Sequence, residues 1–318
     1  MAEPLGGRGT LAHRPVLLRE TIELLAAERG GLFVDCTVGL GGHSAAILQA
    51  SSDAQVLGID RDEEALRAAS ARLAPFGSRF RAVHADFREL TRVLATANVS
   101  QVRGVLADLG VSSLQLDSPS RGFSFRYDAP LDMRMDMSRG ETAAELLGRL
   151  SEVQIARLIF EYGEERRSRR IARAIVQRRD RGEPVKTTAD LAHLVERAIG
   201  ASKKRRIHPA TRTFQALRIA VNAELENLDR FISDAVDHLE PEGRLAVISF
   251  HSLEDRIVKR TLLKLSGRCQ CPPRFPKCIC GALKAVSILT RRPISPADDE
   301  IESNPRARSA RLRGAQKI

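Results

Sequence analysis

The residues best placed to do chemistry lie in a glycine-rich turn at positions 35–44, between an apolar run and a run that predicts a helix. Glycines in such a turn let backbone N–H groups approach a ligand closely. Asp35 opens the turn, and its carboxylate would repel a dinucleotide pyrophosphate but attract a ligand that carries an ammonium and a sulfonium. The turn therefore favours S-adenosylmethionine over a nicotinamide cofactor.

Acidic residues also end the next two predicted strands. Asp60 lies about 20 residues after the glycine turn, where a carboxylate can accept both hydroxyls of a ribose. Asp86 could accept from an adenine amino group while the ring of Phe87 packs on adenine. Taken alone, that pair would rather indicate a helix N-cap and a core side chain. Because the carboxyl ends of parallel strands meet in one crevice, we favour the adenosyl interpretation.

Asp108 follows a further predicted strand and opens the segment 108–113. An acceptor at this point could bind the exocyclic amine of a base and hold it in line with a methyl-sulfonium. Two other roles stay open, since Asp108 could cap a turn or hold the cofactor.

The elements that must position these acids alternate between strand and helix. This alternation predicts an α/β fold with a parallel sheet and helices on both faces. The predicted strands are residues 31–34, 55–60, 80–86, 102–108, 244–250 and 286–289.

The pattern divides the chain into a discontinuous core, an insert and a tail. We expect residues 11–112 and 208–294 to form the core and residues 113–207 to form an inserted, mostly helical domain. Residues 295–318 form a basic C-terminal tail, which we expect to be flexible or to lie on RNA.

Local signals place several helix boundaries. Ser151 predicts one N-cap in the insert, and Thr187 or Thr188 predicts another. Residues 164–179 predict a strongly basic helix, and residues 212–239 predict a single long helix.

The charge of the 318-residue chain indicates a polyanionic partner. Its formal net charge is +11, and its isoelectric point is about 10.0. Aromatic residues make up only 4% of the chain and tryptophan is absent, so phosphate contacts with one base pocket are favoured over a stacking platform. The candidate phosphate-binding clusters, each of which could instead be a solvated face, are Arg166, Arg167, Arg169 and Arg170, then residues 203–206, and then the tail.

No apolar run is long enough to span a bilayer, and the amino-terminal segment lacks the apolar core of a signal peptide. We therefore expect a cytoplasmic protein without membrane contacts. The sequence leaves the oligomeric state open, with a homodimer among the alternatives.

Residues 249–252 follow the fifth predicted strand, at the same edge of the sheet as the cofactor. Phe250 could stack on a base removed from its helix, and Ser249 or His251 could hydrogen-bond that base. The alternative is that Phe250 belongs to the core and Ser252 caps the next helix. Our hypothesis is that His251 lies in the base pocket.

Four cysteines cluster near the carboxyl end of the predicted core: Cys269, Cys271, Cys278 and Cys280. Four thiolates in one loop could hold a structural zinc ion. The one-residue spacing within each pair is tighter than in common zinc knuckles, so the zinc site stays open and we assign no metal to catalysis.

Several long strings resemble the bacterial 16S ribosomal RNA cytosine-N4 methyltransferase family, and the resemblance spans nearly the whole chain. They are residues 13–17, 35–44, 58–62, 108–113, 121–125, 131–136, 162–166, 208–218, 249–256, 290–293 and 304–309. The resemblance implies a Rossmann-like S-adenosylmethionine-dependent fold with an inserted helical domain. It also implies methyl transfer to N4 of a cytidine in the decoding region of the small ribosomal subunit, with the assembled subunit as the expected substrate.

By the same resemblance, the cofactor contacts would be Gly41, Gly42, His43, Asp60, Phe87, Asp108 and Gln115. Asp108, Ser249 and His251 are then the candidate catalytic residues. Two positions depart from the family pattern: Cys36 replaces a glycine, and Leu114 replaces a proline that would have stiffened the loop before Gln115.

Other functions remain as alternatives. An amino-methyltransferase that acts on another RNA or on DNA would share the cofactor crevice. A nicotinamide-dependent dehydrogenase is disfavoured by Asp35 and by the lack of a recognisable hydride-transfer set. A noncatalytic ribosome-assembly protein could keep the same fold, although the full set of acids at the strand ends disfavours it.

Overall fold

The computed structural model describes residues 15–200, 207–269, 271 and 283–318. A mixed sheet forms the centre of this part of the chain. In chain order its strands are β1 Gly31–Asp35, β2 Ala54–Asp60, β3 Phe80–His84, β4 Val102–Asp108, β5 Leu239–Ser249, β6 Val286–Ile288 and β7 Arg311–Lys317.

The strands are arranged in the order β3-β2-β1-β4-β5-β7-β6. Strands β1 to β5 run parallel to one another, whereas β7 is antiparallel to both β5 and β6. The order reverses between β1 and β4, which opens a crevice at the carboxyl ends of the strands. The α/β interpretation is thus confirmed.

Helices cover the sheet and form the insert. They are α1 Leu18–Leu25, α2 Gly42–Ala50, α3 Glu63–Leu73, α4 Leu90–Thr96, α5 Ser113–Asp117, α6 Ala143–Arg149, α7 Glu152–Gly163, α8 Ser168–Asp180, α9 Thr188–Ile199, α10 Thr211–Asn222, α11 Leu228–His238, α12 Ser252–Leu265 and α13 Asp298–Ser303. None of the described helices is long and apolar enough to cross a membrane.

Two of the predicted N-caps are confirmed. The Ser151 side chain accepts a hydrogen bond from the Gln154 N–H, and the Thr187 side chain accepts one from the Asp190 N–H. Each cap satisfies a backbone donor that the first helical turn leaves without an intrahelical partner.

Alternating side chains build an apolar layer on each face of the sheet. Val34 and Val105 point into a cluster with α4, α11 and α12, whereas Phe33 and Leu106 point into a second cluster with α1 and α2. This is the period-two pattern of strands that are buried on both faces.

The insert has an apolar cluster of its own, made from helices α6 to α10 and the segment before them. Phe214 and Leu217 of α10 belong to this cluster, although they lie beyond position 207, where we predicted the insert to end. Gly163 allows the close approach of α7 and α10, because a Cβ there would lie 2.5 Å from the Arg212 carbonyl oxygen.

Buried polar contacts join α10 to the segment before α6 and attach the insert to the residues that follow β2. The Asn222 side chain donates to the Met133 carbonyl at 2.7 Å and accepts from the Met135 N–H at 2.8 Å. Arg121 lies 2.9 Å from Asp62, and both side chains are less than 5% exposed. These contacts place the insert over the carboxyl ends of the strands.

The C-terminal segment corrects our expectation of a flexible tail. Arg311–Lys317 forms β7, in which Leu312 and Ala315 are fully buried. Arg313 pairs with Asp255 at 2.6 Å. A carboxylate of the protein itself therefore neutralises an arginine that we had predicted to be free to bind RNA. The prediction of a flexible tail was wrong because arginines interrupt the alternation of apolar and polar residues in this strand. The carboxylate that neutralises Arg313 lies far away in the sequence.

The predicted helix at 212–239 is also two helices, α10 and α11. Ala223 and Asn227 adopt left-handed backbone conformations, with φ of 50° and 56°, and so interrupt the helix. The short α5 begins the insert, directly after its N-cap Ser112.

Some predictions fall outside the described residues. They concern Cys278 and Cys280 of the cysteine quartet, the basic cluster at 203–206, and residues 11–14 of the core. The zinc prediction is therefore unresolved, and Cys269 and Cys271 alone carry no argument for a metal site.

Candidate active site

The carboxyl ends of β1, β2 and β4 open into a cavity that the insert covers. Six of the predicted site residues line it: Gly42, His43, Asp60, Phe87, Asp108 and Gln115. The structure thus brings together residues that lie up to 73 positions apart, since parallel strands end at the same edge of the sheet. Gly41, Ser249 and His251 lie next to the described wall of the cavity and not in it.

The glycine turn positions Asp60 through the backbone. The Gly39 N–H donates to Asp60 Oδ2 at 2.8 Å, and the Asp62 N–H donates to Oδ1 at 2.9 Å. Each carboxylate oxygen keeps a lone pair, so Asp60 can still accept hydroxyl protons from a ribose. Burial raises the pKa of Asp60 above its ordinary value.

Gly41 and Gly42 allow close packing within the protein. Gly41 has a φ of 74° and is the N-cap of α2, and a Cβ at Gly42 would lie 2.2 Å from Pro15 Cγ. Gly42 therefore lets the N-terminal segment approach α2 and form one side of the cavity. The predicted contact of Gly41 with the cofactor remains a prediction.

Asp35 does not face the cavity, which corrects the argument that we drew from its charge. Its side chain accepts from the Ser44 hydroxyl at 2.7 Å and from the Thr37 N–H at 3.2 Å, and only 1% of the residue is exposed. Burial raises the pKa of Asp35 to about 6. Asp35 therefore fixes the turn and influences the cavity only through its field.

Asp108 has the most unusual environment in the cavity. Its Oδ1 is buried and has no hydrogen-bond partner, whereas a buried carboxylate oxygen normally has one. Its Oδ2 lies 3.6 Å from His43 Nδ1. Burial, and next the charges of Asp35 and Glu254, raise the pKa of Asp108 well above its ordinary value. Asp108 thus offers a vacant acceptor at the centre of the site.

His43 is oriented by the backbone of the N-terminal segment. Its Nε2 lies 3.0 Å from the Val16 carbonyl oxygen, which can only accept a hydrogen bond. We therefore assign a proton to Nε2. In the neutral ring, Nδ1 then carries the lone pair and faces Asp108 Oδ2 at 3.6 Å.

Asp86 serves as an N-cap, as its alternative interpretation had it, and is absent from the described cavity wall. Arg88 donates from Nε and Nη2 to the two oxygens of the Asp86 carboxylate, each at 2.8 Å, and Arg61 Nη1 lies 3.4 Å from Oδ2. Burial alone would raise the pKa of Asp86, but these arginines hold it below its ordinary value. Phe87 does line the cavity, and its ring packs edge-on against Phe231 with centroids 4.9 Å apart.

Gln115 lines the cavity but already has partners for its amide. Its oxygen accepts from the Ser112 N–H at 3.0 Å, and its nitrogen donates to Asp62 Oδ2 at 2.8 Å. Arg121 contacts the same carboxylate. Gln115 therefore anchors the turn after Asp108 to the core, and its contact with a cofactor stays a prediction.

The segment after β5 divides between structural and cavity-lining roles. Ser249 is 1% exposed, and its hydroxyl donates to the Arg311 carbonyl at 3.4 Å. His251, rather than Ser252, is the N-cap of α12, and its Nε2 lies 3.1 Å from Glu254 Oε1. Phe250 lines the cavity next to Gly110. Of this segment, Phe250 is thus the residue whose side chain lines the cavity.

Arg218, Glu224 and Glu254 are among the charged residues of the cavity wall that sequence reasoning missed. Arg218 ends the string 208–218 that carries part of the family resemblance, and Glu254 lies within 249–256, so both were within matched motifs. Ligand-type atoms of Glu224, His251 and Glu254 lie within 4.8 Å of one another, as in a metal site. However, Arg218 already forms a bidentate ion pair with Glu224, and the positive charge of Arg218 disfavours a metal cation between these three residues.

The fold and the site together define a methyltransferase of the S-adenosylmethionine-dependent class. An inserted antiparallel β7 distinguishes the sheet from the 3-2-1-4-5-6 order of dinucleotide-binding domains. Acids follow β2 and β4 at the cavity, and Asp108 presents an acceptor beside them.

Comparisons with known proteins give the family. The model of the MraW methylase family matches residues 10–318, and the chain belongs to that family. The ribosomal RNA small subunit methyltransferase H of Geobacter sulfurreducens is 52% identical over 312 residues, which cover 97% of this chain and 100% of the relative. The proteins of the same name from Carboxydothermus hydrogenoformans and Sorangium cellulosum are 49% and 53% identical, over 96% of this chain and 98% and 91% of their own lengths.

Proposed function

We propose that this enzyme transfers a methyl group from S-adenosylmethionine to the exocyclic N4 amine of a cytidine in 16S ribosomal RNA. The observation that carries the proposal is the vacant buried oxygen of Asp108, beside a cavity that can hold an adenosyl group. The names of the relatives support a substrate in the small ribosomal subunit.

The cavity fits the cofactor from the adenosine side to the reacting centre. Asp60 can accept the ribose hydroxyls, and Phe87 offers an apolar surface to the adenine ring. When bound, the sulfonium supplies an already activated methyl group, so the protein must chiefly orient the acceptor and shape the field.

Asp108 can prepare the amine for attack. The lone pair of a cytosine N4 is delocalised into the ring, so an amine proton held by Asp108 Oδ1 favours a pyramidal nitrogen aimed at the methyl group. The amine must lose one proton after transfer, and the raised pKa of Asp108 makes the carboxylate a competent acceptor for it. Phe250, beside Gly110, can stack on the base while it lies outside its helix.

The insert carries a surface that suits a folded RNA. Arg166, Arg169 and Arg170 are exposed at the start of α8, and no acidic side chain pairs with them in the described structure. Such a patch can neutralise phosphates without reading bases. We therefore propose the assembled small subunit, selected by shape, as the substrate and the cytoplasm as the location.

Single-turnover methyl transfer to unmodified small subunits tests the role of Asp108. We expect Asp108→Asn to reduce the rate constant by at least about 100-fold, as loss of a positioned acid-base group does. Asp299→Asn removes an exposed carboxylate on α13 and serves as the matched control. If Asp108→Asn keeps the rate of the control, Asp108 does not hold the target amine.

DNA is the second candidate substrate, since the same cavity could accept a flipped cytosine from a duplex. Competition between small subunits and a duplex of equal nucleotide concentration separates the two. The proposal predicts methylated RNA and unlabelled DNA, and preferential labelling of the duplex would overturn it.

A further inference from the structure

A charged cluster lies at the Asp108 end of the cavity, beyond the part that fits adenosine. It consists of Arg218, Glu224, His251 and Glu254, contributed by α10, the loop after it and the start of α12. Glu224 and Glu254 are 7% and 1% exposed. So many buried charges at the edge of a cavity need a physical reason, because desolvation makes each of them costly.

Part of the cluster satisfies itself. Arg218 donates from Nε and Nη2 to the two oxygens of Glu224, each at 2.8 Å. Glu254 accepts from the Phe250 N–H at 2.9 Å, and His251 lies against its other oxygen at 3.1 Å. These contacts hold the guanidinium and the second carboxylate in fixed positions.

Two nitrogen atoms of the cluster are left over, and one of them is the buried His251 Nε2, which lies against Glu254 without a hydrogen bond of good geometry. Arg218 Nη1 has no hydrogen-bond partner among the described residues, although the side chain is only 16% exposed and lines the cavity. Asp108 Oδ1 is a buried acceptor without a partner in the same cavity. The charge of Glu254 acts on both residues, and all three side chains line the same cavity.

A donor and an acceptor in one cavity match the edge of an aminopyrimidine. Cytosine presents the N4 amine as a donor and, further along the same edge, ring N3 and the O2 carbonyl as acceptors. We propose that Arg218 binds the target base by donating from Nη1 to this ring-nitrogen and carbonyl edge, while Asp108 holds the amine. This inference rests on the proposed function and assigns to Arg218 a role in binding substrate.

The bidentate ion pair of Arg218 with Glu224, which we call the fork, explains how Arg218 can bind the base. A free arginine would lose rotamer entropy on each binding event, whereas the fork fixes the guanidinium plane before the base arrives. Glu224 is then a positioning residue, and its carboxylate also neutralises the guanidinium next to a cationic cofactor.

The test must separate base binding from the structural pairing of Arg218 with Glu224. Removing the arginine alone would leave Glu224 buried without its counter-charge. The double variant Arg218→Met/Glu224→Met removes both charges together, and Arg218→Lys keeps a charge without the fork. Arg67→Met, an exposed arginine on α3, is the matched control.

For each protein we would measure the melting temperature, the dissociation constant for S-adenosylmethionine, and kcat/KM for methylation of unmodified small subunits. In the double variant we expect cofactor affinity within about twofold of wild type and kcat/KM lower by roughly 10- to 100-fold, as for a lost hydrogen bond from a charged donor. Arg218→Lys should retain an intermediate kcat/KM, and Arg67→Met should match wild type.

Two results would overturn the inference. The first is a folded double variant with unchanged kcat/KM, which would make the ion pair purely structural. The second is a loss of cofactor affinity by the same factor as kcat/KM, which would assign Arg218 to the cofactor. If the double variant does not fold, the same two criteria apply to Arg218→Lys. Failure of wild type to produce N4-methylcytidine would instead refute the proposed function.

Discussion

Asp35 offers a quantitative test of the electrostatics beneath the active site. Its carboxylate is 1% exposed and is held by Ser44 and Thr37, and burial raises its pKa from 3.8 to about 6. The folded state therefore binds the proton more tightly than the unfolded state does. This raised pKa contributes stability below about pH 4, and the contribution is lost as the pH rises through about 6.

The size of the effect follows from the shift. A difference of about two pKa units corresponds to about 3 kcal/mol between the two protonation states. Asp35→Asn preserves the shape of the side chain and an acceptor for the Thr37 N–H, and the Ser44 hydroxyl can turn to accept from the new amide. The asparagine side chain does not titrate in this pH range. The free energy of unfolding of the variant should therefore lack the decrease that ionisation of Asp35 causes in wild type.

Urea unfolding of wild type and Asp35→Asn at pH values from 4.5 to 8 measures the effect directly. Taking the difference at each pH cancels groups that titrate equally in both proteins. We expect the variant to gain stability relative to wild type as the pH rises, by about 2 kcal/mol over this range, because part of the effect lies below pH 4.5. A difference that stays constant within about 0.5 kcal/mol would refute the burial argument.

The other predictions concern Asp108, the insert and β7. Affinity for S-adenosylmethionine should increase with pH as Asp108 ionises, whereas affinity for the uncharged thioether product should change less, and calorimetry with wild type and Asp108→Asn would show it. Arg121→Met should destabilise the protein by about 3–5 kcal/mol in urea unfolding, because it leaves the buried Asp62 carboxylate without its counter-charge. Deletion of residues 311–318 should abolish cooperative unfolding, whereas a tail that only binds RNA would leave the melting curve unchanged.

Local signals predicted much of the core. The strands β1 to β5 and the N-caps Ser151 and Thr187 were accessible because their patterns depend on neighbouring residues. The strand β7 could not be predicted in this way, because its arginines indicate a solvated tail. Only the tertiary structure shows that Asp255 of α12 lies beside Arg313. Long-range neutralisation of charge has no local signature.

The site shows the same division. Asp60 and Asp108 reach the cavity because parallel strands end together, which the strand pattern alone predicts. The positions of Asp35 and Asp86 in the sequence suggested that both carboxylates contact the ligand. In the structure they bind Ser44 and Arg88 instead, and the burial and pairing that result depend on the tertiary fold. Arg218 was missed because it lies on a helix, remote in sequence from the glycine turn.

The most direct test of the central claim is the identity of the methylated nucleoside. Unmodified small subunits would be incubated with the protein and isotopically labelled S-adenosylmethionine, and the digested 16S RNA would be analysed by nucleoside mass spectrometry. The account predicts label in N4-methylcytidine. Label only in C5-methylcytidine or in a 2′-O-methylated nucleoside would contradict it, because neither product needs an acceptor for an exocyclic amine.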